Sequence, residues 1–231
     1  METISRRECL FFLSTILGLA IYPGSRAFAT TATAERVIRD QFPVSIAVLQ
    51  AAYVSEMVAS SHYDEYYERA VTEGYPNIAY LFRAFSLSER IHADNYKKVL
   101  ASLGTSFEDP LTDIQVSDTR ANVMEATKNE LIKIRETYPY FLSRLEDEAY
   151  DEAVITCMYS WKSHKQHEKK IAEIKRYSKY FFGSVAKKIE GVKLDFHVCE
   201  ICGSTIDATP VAPCEICNHA ASHYIHVQKP S

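Results

Sequence analysis

Apolar residues recur with helical spacing along most of the chain between residues 34 and 180. This periodicity predicts four long helices, over residues 44–73, 76–103, 118–148 and 150–182. Gly74 and Gly104 separate the first helices, and Pro139 predicts a kink inside the third. The connection over 105–117 is long enough to cross a bundle from end to end. The pattern therefore predicts a mainly α protein built as a four-helix bundle.

Composition and charge narrow the class of protein. The chain has 231 residues, of which 47% are hydrophobic and 24% charged, with only seven glycines. This hydrophobic content excludes a mainly disordered chain. The net charge of −4 offers no electrostatic basis for nucleic-acid binding, so we expect no nucleic-acid partner.

The first 29 residues have the pattern of an export signal. Arg6 and Arg7 precede an apolar stretch over 11–22, and a small-residue cleavage pattern ends at Ala29. The paired arginines resemble a twin-arginine signal. We therefore expect a periplasmic protein that is cleaved after Ala29 and has no stable membrane span when mature. The alternative is an uncleaved membrane anchor.

The helical region repeats itself weakly, with one constant spacing between its two halves. The spacing that relates Glu89 to His164 also relates His92 to His167. Glu73, just before the second predicted helix, is related to Glu148 in the same way. The repeat predicts two helical hairpins related by a pseudo-twofold axis, with a shared polar site.

A separate module is expected at the C-terminus, over 196–231, after a linker over 183–195. It contains two Cys-x-x-Cys pairs, formed by Cys199, Cys202, Cys214 and Cys217. This spacing is typical of a tetrahedral four-thiolate site for iron or zinc. Two disulfides, or a purely structural zinc site, are the alternatives. With Gly203 after the first pair and Asn218 after the second, the module resembles a rubredoxin-like iron domain.

The four predicted helices carry potential metal ligands at matched depth. Glu89 and His92 lie three positions apart on one helical face, and Glu56 and Glu130 lie on the first and third helices. His164 and His167 lie on the fourth. A single Glu-x-x-His is usually a solvated helix face, but four helices contributing together indicate a buried metal site.

These segments resemble the rubrerythrin family, in Glu73-Gly74-Tyr75, Ser88-Glu89-Arg90-Ile91-His92-Ala93, Tyr138-Pro139 and His167-Glu168. The resemblance implies a ferritin-like bundle over 30–182 followed by the rubredoxin-like domain. It also implies a di-iron peroxidase that acts on hydrogen peroxide or dioxygen, receives electrons from an unidentified donor through the four-cysteine iron, and forms a homodimer. The implied bundle ligands are Glu56, Glu89, His92, Glu130, His164 and His167, with Tyr63 and Tyr138 beside them.

Two positions depart from the family pattern. His164 stands where the family has Glu, and Lys133 stands where it has a second Glu on the third helix. An imidazole does not bridge two metals as a carboxylate does, and an ammonium is not a ligand. Three outcomes follow: two irons with one protein bridge and solvent-derived bridges, a single metal or a zinc–iron mixture, or an inactive site. The alternative function is therefore a non-enzymatic electron carrier or metal-binding protein that uses the tail alone.

Overall fold

The described part of the protein comprises residues 41–105, 108–111 and 113–230 of a computed structural model, with the backbone alone for 171–189. The predicted export signal at 1–29 lies outside these residues. The described helices are α1 (Pro43–Thr72), α2 (Pro76–Ser102), α3 (Thr119–Ile132), α4 (Tyr138–Leu145) and α5 (Asp151–Glu190). A π-helical segment, Lys133–Thr137, joins α3 to α4. Four long helices thus form the predicted bundle, and α3, the π-helical segment and α4 together make the third.

The breaks between the helices have local causes. Gly74 and Gly104 adopt positive φ angles of 79° and 65°, which an L side chain disfavours, and they follow the ends of α1 and α2. Pro76 begins α2, where its missing N–H costs no intrahelical bond. These two glycines and this proline end and restart the helices where the sequence predicted.

The bundle consists of two helical hairpins, α1 with α2 and α3–α4 with α5. The first helix of each hairpin is capped at its N-terminus by a glutamate from the other hairpin. Glu148 accepts from the backbone N–H groups of Val44 and Ser45 at 2.7 Å each. Glu73 accepts from the N–H of Thr119 at 2.9 Å. A carboxylate at a helix N-terminus satisfies free N–H groups and stabilises the helix dipole. Glu73 and Glu148 are related by the repeat in the sequence, and each caps a helix of the other hairpin. The sequence repeat therefore corresponds to a pseudo-twofold axis in the structure.

Pro139 produces the π-helical segment that precedes it. Proline lacks an N–H, and its ring clashes with the carbonyl four positions earlier, so an α-helix cannot pass through it unchanged. The helix widens over Lys133–Thr137 and returns to α geometry at Tyr138. The predicted irregularity is therefore a π-helical insertion, a feature that is frequent at functional sites.

The last helix is longer than expected. It continues to Glu190, whereas the sequence predicted an end at residue 182 and a linker from residue 183. Residues 184–190 include Ala, two Lys and Glu, which favour helix, and Gly191 follows the observed end. Glu190 accepts from the N–H of Asn77 at 2.8 Å and so caps the start of α2.

The C-terminal module is a small three-stranded antiparallel sheet. Its strands are β1 (His197–Cys199), β2 (Thr205–Ile206) and β3 (Tyr224–His226), in the order β2-β1-β3. The module packs along α2, where the Tyr80 hydroxyl accepts from the N–H of Phe196 at 3.0 Å and donates to the carbonyl of Val227 at 2.9 Å. The module therefore shares a hydrophobic core with the bundle of its own chain.

Within the described residues, α1 is the one helix that is long and apolar enough to cross a bilayer by length and composition. Its buried residues include Leu49, Ala52 and Tyr53, which pack in the core of the bundle. An apolar face buried in this way is typical of a core helix.

Candidate metal centres

The four predicted cysteines form a single cluster. The Sγ atoms of Cys199 and Cys217 lie 3.7 Å apart, and those of Cys202 and Cys214 lie 3.5 Å apart. A disulfide would bring each pair to about 2.05 Å. Four sulfurs arranged tetrahedrally around a metal at ~2.3 Å are about 3.8 Å apart, close to the observed spacing. The cluster therefore fits the predicted four-thiolate centre rather than two disulfides.

Each Cys-x-x-Cys pair lies in the same kind of tight turn. Gly203 and Asn218 both have positive φ angles, 75° and 59°. The N–H of Gly203 donates to the carbonyl of Cys199 at 2.9 Å, and that of Asn218 donates to the carbonyl of Cys214 at 2.8 Å. Asn tolerates this left-handed conformation, which explains why it can stand where the resemblance expects Gly.

All six predicted bundle ligands lie in one buried cluster. Four helices contribute to it, and each of the six residues is at most 1% exposed. They are Glu56 on α1, Glu89 and His92 on α2, Glu130 on α3, and His164 and His167 on α5. Six ionisable side chains without solvent contact indicate a site that binds a charged species, because unpaired buried charges are costly.

Lys133 also points into this cluster. It is 7% exposed, and its ammonium donates to Glu56 Oε2 at 2.5 Å and lies 3.8 Å from Glu89 Oε1. Burial lowers the pKa of the ammonium, but Glu56 and Glu89 raise it more strongly, so the pKa lies above its ordinary value. From the sequence alone, Lys133 would lie near the metals only if its side chain pointed inward. The structure shows that it points inward.

The remaining charges compensate one another. His164 lies between the carboxylates, with Nδ1 2.8 Å from Glu130 and Nε2 3.2 Å from Glu56. Burial lowers the pKa of this imidazole, but Glu89 and the other carboxylates raise it to about 10. Burial raises the pKa of Glu130, and His164 outweighs that effect and lowers the pKa to about 2. Without metal, His164 is thus a second cation among the carboxylates.

Two tyrosines extend the site. The hydroxyl of Tyr63 donates to Glu130 at 2.6 Å, and that of Tyr138 donates to Glu56. Burial raises the pKa of both phenols well above the ordinary value, so both stay protonated. Tyr63 follows Glu56 by seven positions and Tyr138 follows Glu130 by eight. The π-helical segment accommodates the extra residue and restores the equivalence of the two tyrosines.

The donor set meets a direct test for metal binding. Two groups have ligand atoms that all lie within 4.8 Å of one another: Glu56, Glu89, His92 and His164, and Glu89, Glu130, His164 and His167. In the part of the chain that the structure describes, Glu89 Oε1 and His167 Nδ1 have no hydrogen-bond partner although both are buried. Carboxylate oxygen and imidazole nitrogen suit iron(II) and zinc. The bundle residues therefore fit a metal ion.

The C-terminal module docks on the pseudo-twofold axis of the bundle. The hydroxyls of Ser88 and Ser163, which the repeat in the sequence relates, both donate to the carbonyl of Gly203, at 2.6 and 2.9 Å. His92 Nε2 hydrogen-bonds the carbonyl of Cys202 at 3.1 Å while its Nδ1 lies 2.9 Å from Glu89. One imidazole thus joins the two centres within a single chain.

Sequence reasoning missed the two serines and the role of Gly203. A Cβ atom at Gly203 would lie 2.2 Å from His92 Nε2, so only glycine permits this approach. The repeat in the sequence contained the signal, because it relates Ser88 to Ser163 as it relates Glu89 to His164.

A cavity of about 310 Å³ lies against the bundle centre. Its lining includes Tyr63, His62, Asn129, Lys133 and Thr137. Since Lys133 and Tyr63 both touch carboxylates of the centre, this cavity offers a small molecule a route towards it.

A third group of ligand-type side chains lies in the C-terminal module. His197 and His226 are direct cross-strand partners, and Asp195 lies 3.0 Å from His226. Their ligand atoms also lie within 4.8 Å of one another. The sequence did not bring these residues together, because β2 and the second Cys-x-x-Cys turn lie between β1 and β3 along the chain.

Comparison with known proteins places the chain in a family. The family model described as Rubrerythrin matches residues 47–175, more than half of the chain. Rubrerythrin-2 of Clostridium acetobutylicum is 28% identical over an alignment of 178 residues, and the match covers 73% of this chain and 89% of that protein. Nigerythrin of Nitratidesulfovibrio vulgaris is 26% identical over 171 residues, which are 73% of this chain and 79% of that protein.

Solved structures agree in fold. The mixed-valent state of nigerythrin is 21% identical, with a TM-score of 0.68, and the similarity covers 79% of this chain and 86% of that one. The fully reduced, all-ferrous state gives the same TM-score and coverage at 22% identity. The predicted fold, a ferritin-like bundle followed by a rubredoxin-like domain, is confirmed. With a carboxylate–histidine site in the bundle and a four-cysteine cluster in the tail, both suited to iron or zinc, the chain belongs to the rubrerythrin family.

Proposed function

We propose that this protein is an exported non-haem iron oxidoreductase that reduces hydrogen peroxide, or dioxygen, at the bundle centre. Iron held by Cys199, Cys202, Cys214 and Cys217 would supply the electrons. The observation that carries the proposal is the position of His92, whose ring contacts Glu89 of one centre and the carbonyl of Cys202 of the other. A protein that only stored a metal would not need its two centres in hydrogen-bonded contact.

Bound iron would supply reversible one-electron redox chemistry at both centres. Reduction of one hydrogen peroxide to two waters consumes two electrons and two protons. Iron held by the four cysteines would supply electrons one at a time, and these electrons come from a donor outside this chain.

The chain's own residues provide access and protons. The cavity beside Lys133 and Tyr63 admits a small oxidant, while the bulk of the site is closed to water. Tyr63 and Tyr138 hold their protons against Glu130 and Glu56, because burial and the nearby carboxylates raise the pKa of both phenols. Protonated groups at this position can supply protons to the products of O–O cleavage.

The test follows the colour of the four-cysteine iron. The full-length chain is loaded with iron, reduced without oxygen and mixed with hydrogen peroxide in a stopped-flow instrument. We expect the oxidised colour to return rapidly in the wild type and about 100-fold more slowly in Glu89→Ala, which removes a carboxylate shared by both ligand groups. Equal rates in the two proteins would contradict the proposal, and a parallel run with dioxygen identifies the preferred oxidant.

Glu89→Ala also needs a control for the tail. We expect this variant to lose its bundle metal and keep the absorption bands of the four-cysteine iron, since the four cysteines lie outside the bundle cluster. Exposed Glu125→Ala, on α3, is the matched variant, and it should keep both metals.

A second candidate function is favoured by the ion pair between Lys133 and Glu56. If this pair prevents metal binding in the bundle altogether, the protein is an electron carrier that uses the tail alone. Iron analysis separates the two functions, because the carrier would hold about one iron per chain, all of it in the four-cysteine site.

Export and assembly complete the proposal. The pattern of residues 1–29 supports twin-arginine export to the periplasm, and replacing Arg6 and Arg7 by Lys should keep the chain in the cytoplasm, as cell fractionation would measure. We propose a homodimer by similarity to the family, to be measured by light scattering. Since each chain contains both centres in contact, electron transfer between them does not require the dimer.

A further inference from the structure

The charge of the bundle cluster limits how many metal ions it can hold. Glu56, Glu89 and Glu130 bring three negative charges, and the ammonium of Lys133 brings one positive charge into the same buried space. With the histidines neutral as ligands, the net charge is two minus. One divalent ion neutralises this charge, whereas two divalent ions would leave two positive charges that the protein's own residues do not balance and that a solvent-derived anion would have to neutralise.

The position of Lys133 decides which side of the cluster is filled. Its ammonium lies 2.5 Å from Glu56 and 3.8 Å from Glu89. Glu56 belongs to the ligand group that includes His92. Because the Lys133 ammonium already pairs with Glu56, a metal ion would have to compete with this ammonium for the carboxylate. His92 holds the carbonyl of Cys202 with Nε2, so only its Nδ1 faces the cluster, whereas both ring nitrogens of His164 face carboxylates.

The other side of the cluster has two buried ligand atoms without a hydrogen-bond partner among the described residues. They are Glu89 Oε1, which is 3.8 Å from the Lys133 ammonium, and His167 Nδ1, and they lie 3.5 Å apart. Glu130 and His164 complete a group of two carboxylates and two imidazoles. Such a set of four oxygen and nitrogen ligands is sufficient for one iron(II) or zinc ion.

The π-helical segment explains how a lysine reaches this place. Lys133 is its first residue and follows Glu130 by three positions, whereas the equivalent position after Glu56 in the other hairpin is Ala59. The two hairpins thus differ here by a buried cation.

We infer that the bundle binds a single divalent metal ion, through Glu89, Glu130, His164 and His167, and that the Lys133 ammonium takes the place of a second ion. The inference rests on the proposed function, since it specifies the metal content of the same site. It departs from the di-iron site that the family resemblance implies.

Metal counting tests the inference directly. The full-length chain carries His226→Ala, which removes the group formed by Asp195, His197 and His226 as a source of surface-bound iron. It is loaded with iron(II) without oxygen, freed of excess iron on a desalting column, and analysed for iron against protein sulfur. We expect about two irons per chain, one in the four-cysteine site and one in the bundle.

Substitution of Lys133 gives the sharpest contrast. Lys133→Glu removes the ammonium and supplies a further carboxylate, so we expect about three irons per chain. The matched control is Lys128→Glu, which makes the same charge change on the same helix at a side chain that is 67% exposed. The control should remain at about two irons.

A second variant covers the case in which Lys133→Glu does not fold. Lys133→Met removes the charge and adds no ligand, so its metal-free form should melt at a lower temperature than the wild type. Added iron(II) should then raise the melting temperature of Lys133→Met more than that of the wild type. Equal metal-free melting temperatures would overturn the inference.

The iron count distinguishes failure of this inference from failure of the proposed function. Three irons in the wild type, or two in a folded Lys133→Glu protein, would overturn the inference and leave the proposed oxidoreductase intact. One iron in the wild type, located in the four-cysteine site by its visible spectrum, would overturn both.

Discussion

The two helical hairpins of the bundle follow one plan and differ at the metal centre. The equivalences include the capping pair Glu73 and Glu148, the tyrosines Tyr63 and Tyr138, and the docking serines Ser88 and Ser163. The differences are Glu89 against His164 and Ala59 against Lys133. The shared residues maintain the bundle and the docked tail, and the differing residues set the charge of the cavity. The residues that obey the pseudo-twofold symmetry thus stabilise the fold, while the two positions that break it set the charge at the metal centre.

The largest effect is expected from His164→Glu, which gives the second hairpin the same residue that the first has at Glu89. His164→Glu replaces an imidazole that contacts Glu130 and Glu56 with a further carboxylate, and a buried charge that loses its partner is strongly destabilising. We expect the metal-free protein to lose about 3–5 kcal/mol of unfolding free energy at neutral pH. Urea unfolding in a chelator measures it.

Metal should reverse most of this loss, because the added carboxylate is a good iron ligand. The matched control is Lys162→Glu, an exposed position on the same helix, which we expect to change stability by less than about 0.5 kcal/mol. A His164→Glu protein as stable as the wild type without metal would show that the imidazole does not balance the carboxylates.

A smaller effect should come from the docking point on the pseudo-twofold axis. Gly203→Ala places a Cβ 2.2 Å from His92 Nε2 at a residue with φ of 75°, and the strain of such a conformation costs about 1–2 kcal/mol. Since 1–2 kcal/mol is a factor of about 5–30 in an equilibrium constant, the docked state should be about 5- to 30-fold less populated.

The readout for Gly203→Ala is reoxidation of the reduced four-cysteine iron by peroxide, which should slow while both metals remain bound. Gly74→Ala provides a glycine control, because its φ is also positive but nothing lies within 4 Å of the added Cβ. Unchanged reoxidation in Gly203→Ala would mean that the contact between His92 and Cys202 does not carry electrons.

The smallest effect concerns the exchanged caps. We expect Glu73→Gln and Glu148→Gln each to lower the unfolding free energy by about 1 kcal/mol at pH 7, and by the same amount because the caps are equivalent. Burial raises the pKa of each carboxyl, but hydrogen bonds from Thr119, and from Ser45 and Val44, outweigh it, so both pKa values are lowered.

The pH dependence of these two variants has a definite sign. A carboxyl with a lowered pKa in the folded state adds stability above its unfolded pKa of about 4.3 and loses it as the pH falls through the folded value. The difference between wild type and each variant should therefore vanish in acid. If the two variants lost different amounts of unfolding free energy at pH 7, the two caps would be equivalent in position but not in their contribution to stability.

The fold and the residues of the two ligand-type clusters were predictable from local patterns. Helical periodicity, the glycines at 74 and 104 and the Glu-x-x-His at residues 89–92 are properties of short segments, and a helix presents residues three apart on one face wherever it packs. The two Cys-x-x-Cys pairs are local in the same sense. The helix beyond residue 182 was not predicted, because Gly183 suggested a break that a good helix-forming run overrode.

The sequence by itself determined the bundle, the four cysteines and the placing of six ligand-type side chains in it, because each follows from spacing along a helix or a tight turn. Only the tertiary structure decided that Lys133 faces the carboxylates, since its direction depends on how the π-helical segment turns the chain before Pro139. Only the tertiary structure decided that Gly203 lies between Ser88 and Ser163. Contacts between residues so distant along the chain depend on how the module packs against α2, which no local pattern encodes.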